Sequence, residues 1–370
     1  MGIVCPDESK RIEIEEFRRM LLSYAAVHRT KAAAAAAAAD DDEFRNPQQL
    51  PTAVQQNREL EEKKVCVTSG VSFLGIAIVN QLLLRGYSVR VIVEKQEDLE
   101  KLREMEITGE MRQSKSSTVE AVMANLNDVQ SLSEAFNGCR GVFHTAAFVD
   151  PAGLSGYSKS MAEVEVMVSK NMTQACAVTP SVKYCMLTSS LLACVWKDLN
   201  SSTTIDNDSW SDESICINKK LWYALGKLKA ERVAWNVAKE SGFKLATICP
   251  GLVTGPDFLS RNPTSTIAYL KGAQEMFRNG LLATVDVNRL AISHVLVFEE
   301  MKNTASGRYI SFERVIRSEE DFEKLARETG TEIRTSTNSI IGASNTHRIG
   351  IKLSNAKLCR LMSATFRCNS

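Results

Sequence analysis

The sequence predicts an α/β fold, a doubly wound parallel sheet with a smaller C-terminal lobe, and three observations predict it. Apolar strand runs alternate with helix-period runs between Lys64 and Ile248. Such alternation builds a parallel sheet with helices on both faces. The strand runs end at Thr68-Ser69-Gly70, Glu94, Thr145-Ala146-Ala147, Thr188-Ser189-Ser190 and Pro250-Gly251, and ligands of open parallel sheets bind at these carboxyl ends. After Pro256 the alternation loosens, which marks the second lobe.

In chain order, residues 1–60 stand apart as a low-complexity extension. Ile12, Phe17, Met20, Leu21 and Tyr24 share one face of a short helix predicted over 12–26. Eight alanines at 32–39 and the acidic run Asp40-Asp41-Asp42-Glu43 follow, a tether that buries little. This extension is either dispensable or a docking segment for a protein partner. The sheet domain is assigned to 64–256. Val65 to Thr68 is its first strand, Phe73 to Leu84 a helix closed by Arg85-Gly86, and Ser88 to Val93 the second strand. Strands are predicted over 119–124, 142–146, 183–188 and 244–248, with helices over 128–136, 160–177 and 221–240. The lobe, 257–330, reads as helices over 267–277, 288–301 and 319–329 with a strand over 308–312. The stretch 331–370 is polar and poorly patterned.

Composition narrows the function. The 370 residues are 44% apolar, enough for a sizeable core in one large or two ordinary domains. A net charge of +1 with interspersed acids and bases argues against a nucleic-acid binder. The ten cysteines form no C-x-x-C pair and no Cys/His cluster, so neither zinc nor a disulfide framework is expected. A reducing, cytoplasmic compartment fits them. No secretory apolar stretch and no 18-residue apolar run is present, so no membrane span is expected.

The chemistry centres on Trp222-Tyr223-Ala224-Leu225-Gly226-Lys227. Tyr223 and Lys227 lie four apart on one helical face. A phenol titrates near pH 10, and a neighbouring ammonium lowers that value, so the pair can serve as a tuned acid and base. An ordinary amphipathic helix can hold the same pair, so its meaning depends on the rest of the chain. The first strand–turn–helix supplies Thr68, Ser69, Gly70, Val71, Ser72, Phe73, Leu74 and Gly75. A Rossmann-type dinucleotide loop uses three glycines there. Serines hold the first two glycine positions and Gly75 the third. The helix N-terminus can still hold a phosphate, while a Cβ at the closest approach can also block it. Glu94 ends the second strand, where a ribose is read, and Lys95 follows. An acid accepts from both ribose hydroxyls and a base attracts a 2′-phosphate, so the two neighbours give opposite answers. Two exposed surface charges remain a third reading. Ser190, with Ser189 in reserve, closes a strand before Tyr223 and can donate to a substrate carbonyl.

On these residues the chain resembles the extended short-chain dehydrogenases/reductases, and within them a divergent branch of the plant cinnamoyl-CoA reductases. Gly141-Val142-Phe143-His144-Thr145-Ala146 resembles that family's fourth-strand motif. Trp210-Ser211-Asp212, then Lys220 to Lys227, Ala230-Glu231 and Trp235, resemble its signature region. Pro250 to Pro256 continues the match, as do Val285-Asp286-Val287, Ala291 and His294. The resemblance implies NADP(H) as cofactor, with NAD(H) left open by Glu94. It implies Ser190, Tyr223 and Lys227 as catalytic residues, and the 68–75 loop, Glu94, Lys95, Asn125, Thr145, Ala146, Tyr223, Lys227 and Pro250 around the cofactor. The substrate implied is a hydroxycinnamoyl-CoA thioester. A ketone or aldehyde reductase of the dihydroflavonol-reductase kind and a non-catalytic fold acting through partners stay as alternatives. The chain departs from the family pattern at the serine-bearing loop, at Glu94 for an arginine, at Asn125 for an aspartate, and at Leu221, Cys249 and Ala268.

Overall fold

The structure, a computed structural model, describes residues 63–111, 118–145, 157–199, 203–329 and 351–368. Among these residues the strands are β1 (Lys64–Thr68), β2 (Ser88–Val93), β3 (Val119–Met123), β4 (Gly141–His144), β5 (Tyr184–Thr188), β6 (Thr204–Ile205), β7 (Lys244–Pro250), β8 (Leu252–Thr254), β9 (Ala283–Asp286), β10 (Gly307–Ser311), β11 (Arg314–Val315) and β12 (Lys352–Leu353). Seven of them form one sheet in the order β10-β7-β5-β4-β1-β2-β3, and every pairing in it is parallel.

The central strands are apolar and buried almost end to end, as a sheet covered on both faces requires. Helices Phe73–Leu84 and Val287–Glu300 cover one face, where the Phe298 ring meets Phe143 at 4.8 Å. Helices Val129–Phe136, Lys159–Val178 and Trp222–Lys239 cover the other. The chain runs from β1 out to β2 and β3, then returns to β4 on β1's other side. The order reverses there, so a crevice opens at the carboxyl ends of β1 and β4. A separate apolar core that includes Trp196, Tyr269, Met276, Leu281 and Phe322 holds the lobe together.

Besides short added strands such as β8, β9 and β11, the structure departs from the sequence reading in four larger ways. Helix Gln96–Thr108 is not predicted, because its apolar face is so thin that only Leu102 and Met105 are buried. The single helix expected over 267–277 is two, Pro263–Leu270 and Ala273–Arg278. Gly272 breaks it at φ 92°, and a Cβ there would meet the Trp196 ring at 2.7 Å. β10, from the stretch assigned to the smaller lobe, pairs with β7, so the sheet takes back part of 257–330. The unassigned C-terminal stretch holds β12, paired with β6, and helix Ala356–Cys368, whose Leu358 reaches the main core. The helix and tether expected in 1–60 lie outside the described residues, as does Ala146. Among the described residues no helix is long and apolar enough to cross a membrane.

Candidate active site

The loop between β1 and its helix keeps the tight turn despite its serines. Ser69 adopts a left-handed φ of 53°, and its carbonyl accepts the Ser72 N–H at 2.9 Å. A Cβ at Gly75 would lie 2.2 Å from the Ser69 carbonyl oxygen, so the third glycine is demanded by close approach. A Cβ at Gly70 would meet the Val91 side chain at 2.6 Å, so this position too needs glycine or a shift of Val91. Ser72 caps the helix, its Oγ accepting the Gly75 N–H at 3.1 Å. The amides of Phe73 and Leu74 open the helix with no intrahelical acceptor. A serine hydroxyl donates as well as accepts, so Ser72 can add a donor to these amides. The turn, the helix N-terminus and this donor set fit a pyrophosphate.

The neighbouring strand ends are stitched together. Thr68 is fully buried, its Oγ1 2.9 Å from His144 Nδ1, and Thr145 Oγ1 donates to the Thr68 carbonyl at 2.7 Å. Thr68 therefore braces the loop rather than facing a ligand, while Thr145 reaches the cleft. At the far side, Glu94 directly follows β2 and accepts the Leu126 N–H; partial burial still lifts its carboxyl above the usual range. Lys95 is exposed at the start of the next helix. Asn125 closes a local turn, its side-chain oxygen accepting the Asn127 N–H at 2.9 Å.

At the end of β5 the structure separates the two serines. Ser189 Oγ donates to Glu231 at 2.6 Å. Glu231 also accepts from Thr247 at 2.7 Å and pairs with Arg308, whose Nε donates at 2.7 Å and Nη2 at 3.2 Å. Arg308 lies over the Trp210 ring at 3.6 Å. Glu231 and Arg308 thus form a buried brace under the β5 turn. Ser190 Oγ accepts the Leu192 N–H at 3.2 Å, which leaves its proton for an acceptor in the cleft.

Tyr223 and Lys227 share a face of helix Trp222–Lys239, with Lys227 Nζ 5.6 Å from the Tyr223 ring centre. Lys227 is buried and its Nζ lies 2.5 Å from Glu165 Oε1. Gly226 makes this contact possible: a Cβ there would stand 3.1 Å from Ala162 Cα, so the two helices meet closely. Glu165 also accepts from the Tyr157 hydroxyl, and the Tyr157 ring meets Tyr223 edge-on at 5.0 Å. Burial pushes the Lys227 pKa down, but Glu165, with Tyr223 and Glu231 adding, more than offsets this and the group stays above its ordinary value. Lys227 does lower the Tyr223 pKa, as expected, but the phenol as a whole stays above its ordinary value. Burial raises the phenol and Glu165 adds to the rise, while Lys227 and a hydrogen bond with Ser265 only partly oppose it.

Ser72, Phe73, Leu74, Thr145, Ser190, Tyr223, Lys227 and Pro250 line one cleft. A second chamber on the other side of Tyr223 is walled by Tyr157, Leu221, Trp222 and Ala268, with Lys271 beside it. Glu94, Lys95 and Asn125 line neither. Sequence reasoning missed Glu165 and Tyr157. It also missed Thr266 and Tyr269, buried hydroxyl-bearing residues that line the cleft. The available signal for Glu165 was an acid at a position where helix 159–178 is otherwise buried and mostly apolar.

Comparisons with known proteins agree with this architecture. Residues 66–313 match the model of the 3-beta hydroxysteroid dehydrogenase/isomerase family. Cinnamoyl-CoA reductase 1 of Petunia hybrida is 37% identical over 279 residues, 73% of this chain and 78% of the relative. Cinnamoyl-CoA reductase 1 of Arabidopsis thaliana is 36% identical over 272 residues, 72% of this chain and 74% of the relative. Among solved structures, yeast methylglyoxal/isovaleraldehyde reductase complexed with NADPH superposes with a TM-score of 0.59 at 21% identity, over 81% of this chain and 93% of that one. The last likeness concerns the fold alone.

Proposed function

This chain belongs to the 3-beta hydroxysteroid dehydrogenase/isomerase family of extended short-chain dehydrogenases/reductases, and from that premise we propose that it is an NADPH-dependent reductase of a hydroxycinnamoyl-CoA thioester. One observation carries the reading: Ser190, Tyr223 and Lys227 line the same cleft as the helix N-terminus that fits a pyrophosphate. A nicotinamide bound there supplies hydride to the carbonyl carbon. Phe73, Leu74 and Ser72 hold the phosphates with two amides and a hydroxyl. Lys95, exposed beside Glu94, is the cation that would meet a 2′-phosphate, while Glu94 accepts from Leu126. Ser190 donates to the carbonyl oxygen and polarises it. As negative charge gathers on that oxygen, the Tyr223 hydroxyl gives it a proton and becomes phenolate. Lys227 holds positive charge beside that phenolate. The product hemithioacetal expels the CoA thiol and leaves the aldehyde. The aromatic chamber of Tyr157, Leu221 and Trp222 suits a planar acyl group. By resemblance to the plant enzymes, the aldehyde would serve lignin or defence phenolics in the cytoplasm.

The test pairs NADPH consumption with free-thiol release on feruloyl-CoA. The reading expects both at equal rates, and a loss of about 100-fold or more in Tyr223→Phe with NADPH binding kept. NADPH binding without thiol release would reject the thioester substrate. Unchanged turnover in Tyr223→Phe would reject the role of the phenol.

A further inference from the structure

Helix 159–178 carries Glu165 at a position facing the protein interior, among the buried residues Ala162, Val168 and Ser169. Only 5% of it is exposed. A carboxylate out of water needs charged or hydrogen-bonding partners. The fold supplies two, the Lys227 ammonium at 2.5 Å and the Tyr157 hydroxyl. Both sit against Tyr223, one along its own helix and one through the ring. Lys227 therefore faces the phenol with its charge already paired. A lone ammonium at this range would stabilise a phenolate strongly, whereas an ammonium with a carboxylate on it acts as a dipole and stabilises it far less.

We propose that Glu165 is a positioning residue of the acid–base pair: it holds the Lys227 ammonium as its counter-ion and keeps the Tyr223 phenol protonated, so that Tyr223 donates in reduction and is a poor base in the reverse, oxidising direction. This rests on the reading of Tyr223 as proton donor. The other groups facing the pair do not replace Glu165. On the same helix, Glu231 is engaged by Arg308. From β4, His144 is neutral, its pKa pushed to about 3 by burial and by Lys227. From β5, Ser190 is uncharged and Ser189 is held by Glu231. From helix 263–270, Ser265 bonds the phenol and Tyr269 adds a second protonated phenol. The Tyr223 phenol lies above its ordinary value chiefly through burial; Lys227 lowers it, and Glu165, acting the other way, takes back part of that lowering.

The test is an ultraviolet titration of tyrosinate in the full chain. The Tyr223 contribution is isolated by subtracting the curve of Tyr223→Phe in each background. In Glu165→Gln the Tyr223 midpoint should fall by about one unit or more, and Glu165→Asp, which keeps the charge, should stay near the parent. Should Glu165→Gln not fold, a second set decides. Lys227→Met should raise the Tyr223 midpoint, and Glu165→Leu with Lys227→Met, which removes the pair together, should return it to within about half a unit of the parent. A Tyr223 midpoint unmoved or raised in Glu165→Gln overturns the proposal, as does a double variant shifted as far as Lys227→Met alone. The titration needs no turnover, so a failure of the reductase reading shows separately, as absent NADPH oxidation. Where turnover is present, the pH profile of the oxidising direction should move to lower pH in Glu165→Gln by the same interval.

Discussion

Gly75→Ala tests whether the serine-bearing loop is the working cofactor turn. A Cβ at this position would lie 2.2 Å from the Ser69 carbonyl oxygen, 2.9 Å from Gly70 Cα and 2.9 Å from Ser72 Oγ. The nearest atom is backbone, and it cannot simply recede. It already accepts the Ser72 N–H at 2.9 Å, and Ser69 is already left-handed at φ 53°. Relief requires opening the turn. Overpacking of this kind costs about 1–3 kcal/mol and the lost turn bond about 1 kcal/mol more, so the total is about 2–4 kcal/mol. That energy appears either as lost stability or, where the loop yields locally, as weaker NADPH binding by about thirty- to several hundredfold. The assays are a urea unfolding curve and a fluorescence titration with NADPH on the same preparation. A variant that unfolds and binds like the parent would refute the geometry of the turn and, with it, the placement of the pyrophosphate.

Two further perturbations probe the frame around the site. Arg308→Met strips Glu231 of its buried charge partner and leaves it the neutral donors Ser189, Thr247 and Cys249; stability should drop by about 3–5 kcal/mol, and Glu231→Leu with Arg308→Met should recover most of it. An unchanged urea midpoint in Arg308→Met would show that the brace contributes nothing. His294 is fully buried, with Nδ1 donating to the Leu290 carbonyl and Nε2 accepting from Thr188, each at 2.8 Å. Burial pushes its pKa down to about 4. The unfolded chain takes up the proton near pH 6.5, so the stability due to this group is full above that value and is lost as pH falls toward 4, by about 3 kcal/mol. His294→Gln should flatten that part of the melting temperature against pH. A slope identical to the parent's would remove His294 from the acid transition.

Much of the fold was legible because its signals are local. A strand run or a helix period is written in neighbouring residues, so most element boundaries emerge within a few positions, and helix 319–329 emerges as read. Helix 96–108 did not, since two buried apolar residues cannot mark a period against a charged background. The Tyr223–Lys227 pair was legible for the same reason, being one helical turn apart. The strand-end residues Ser190, Thr145 and Pro250 were legible once the sheet was, because strand ends collect along one crevice.

By itself, the sequence determined the parallel sheet, the site of the crevice and the residue types brought to it. Only the tertiary structure decided what those residues do to one another. The sequence favours Ser190 and holds Ser189 in reserve; the fold ties the Ser189 hydroxyl to Glu231, while the Ser190 hydroxyl accepts from Leu192 and keeps its proton to donate. The serine-bearing loop reads either way until Ser69 is seen to hold the left-handed turn and Ser72 to cap the helix. Lys227 reads as the group that acidifies Tyr223, and it does lower the phenol, but the fold buries the phenol and brings Glu165 onto the ammonium, so the net direction is upward. The reason is physical. Periodicity needs only neighbours, whereas the strength of a charge depends on its distance from other charges and from water, and packing sets both.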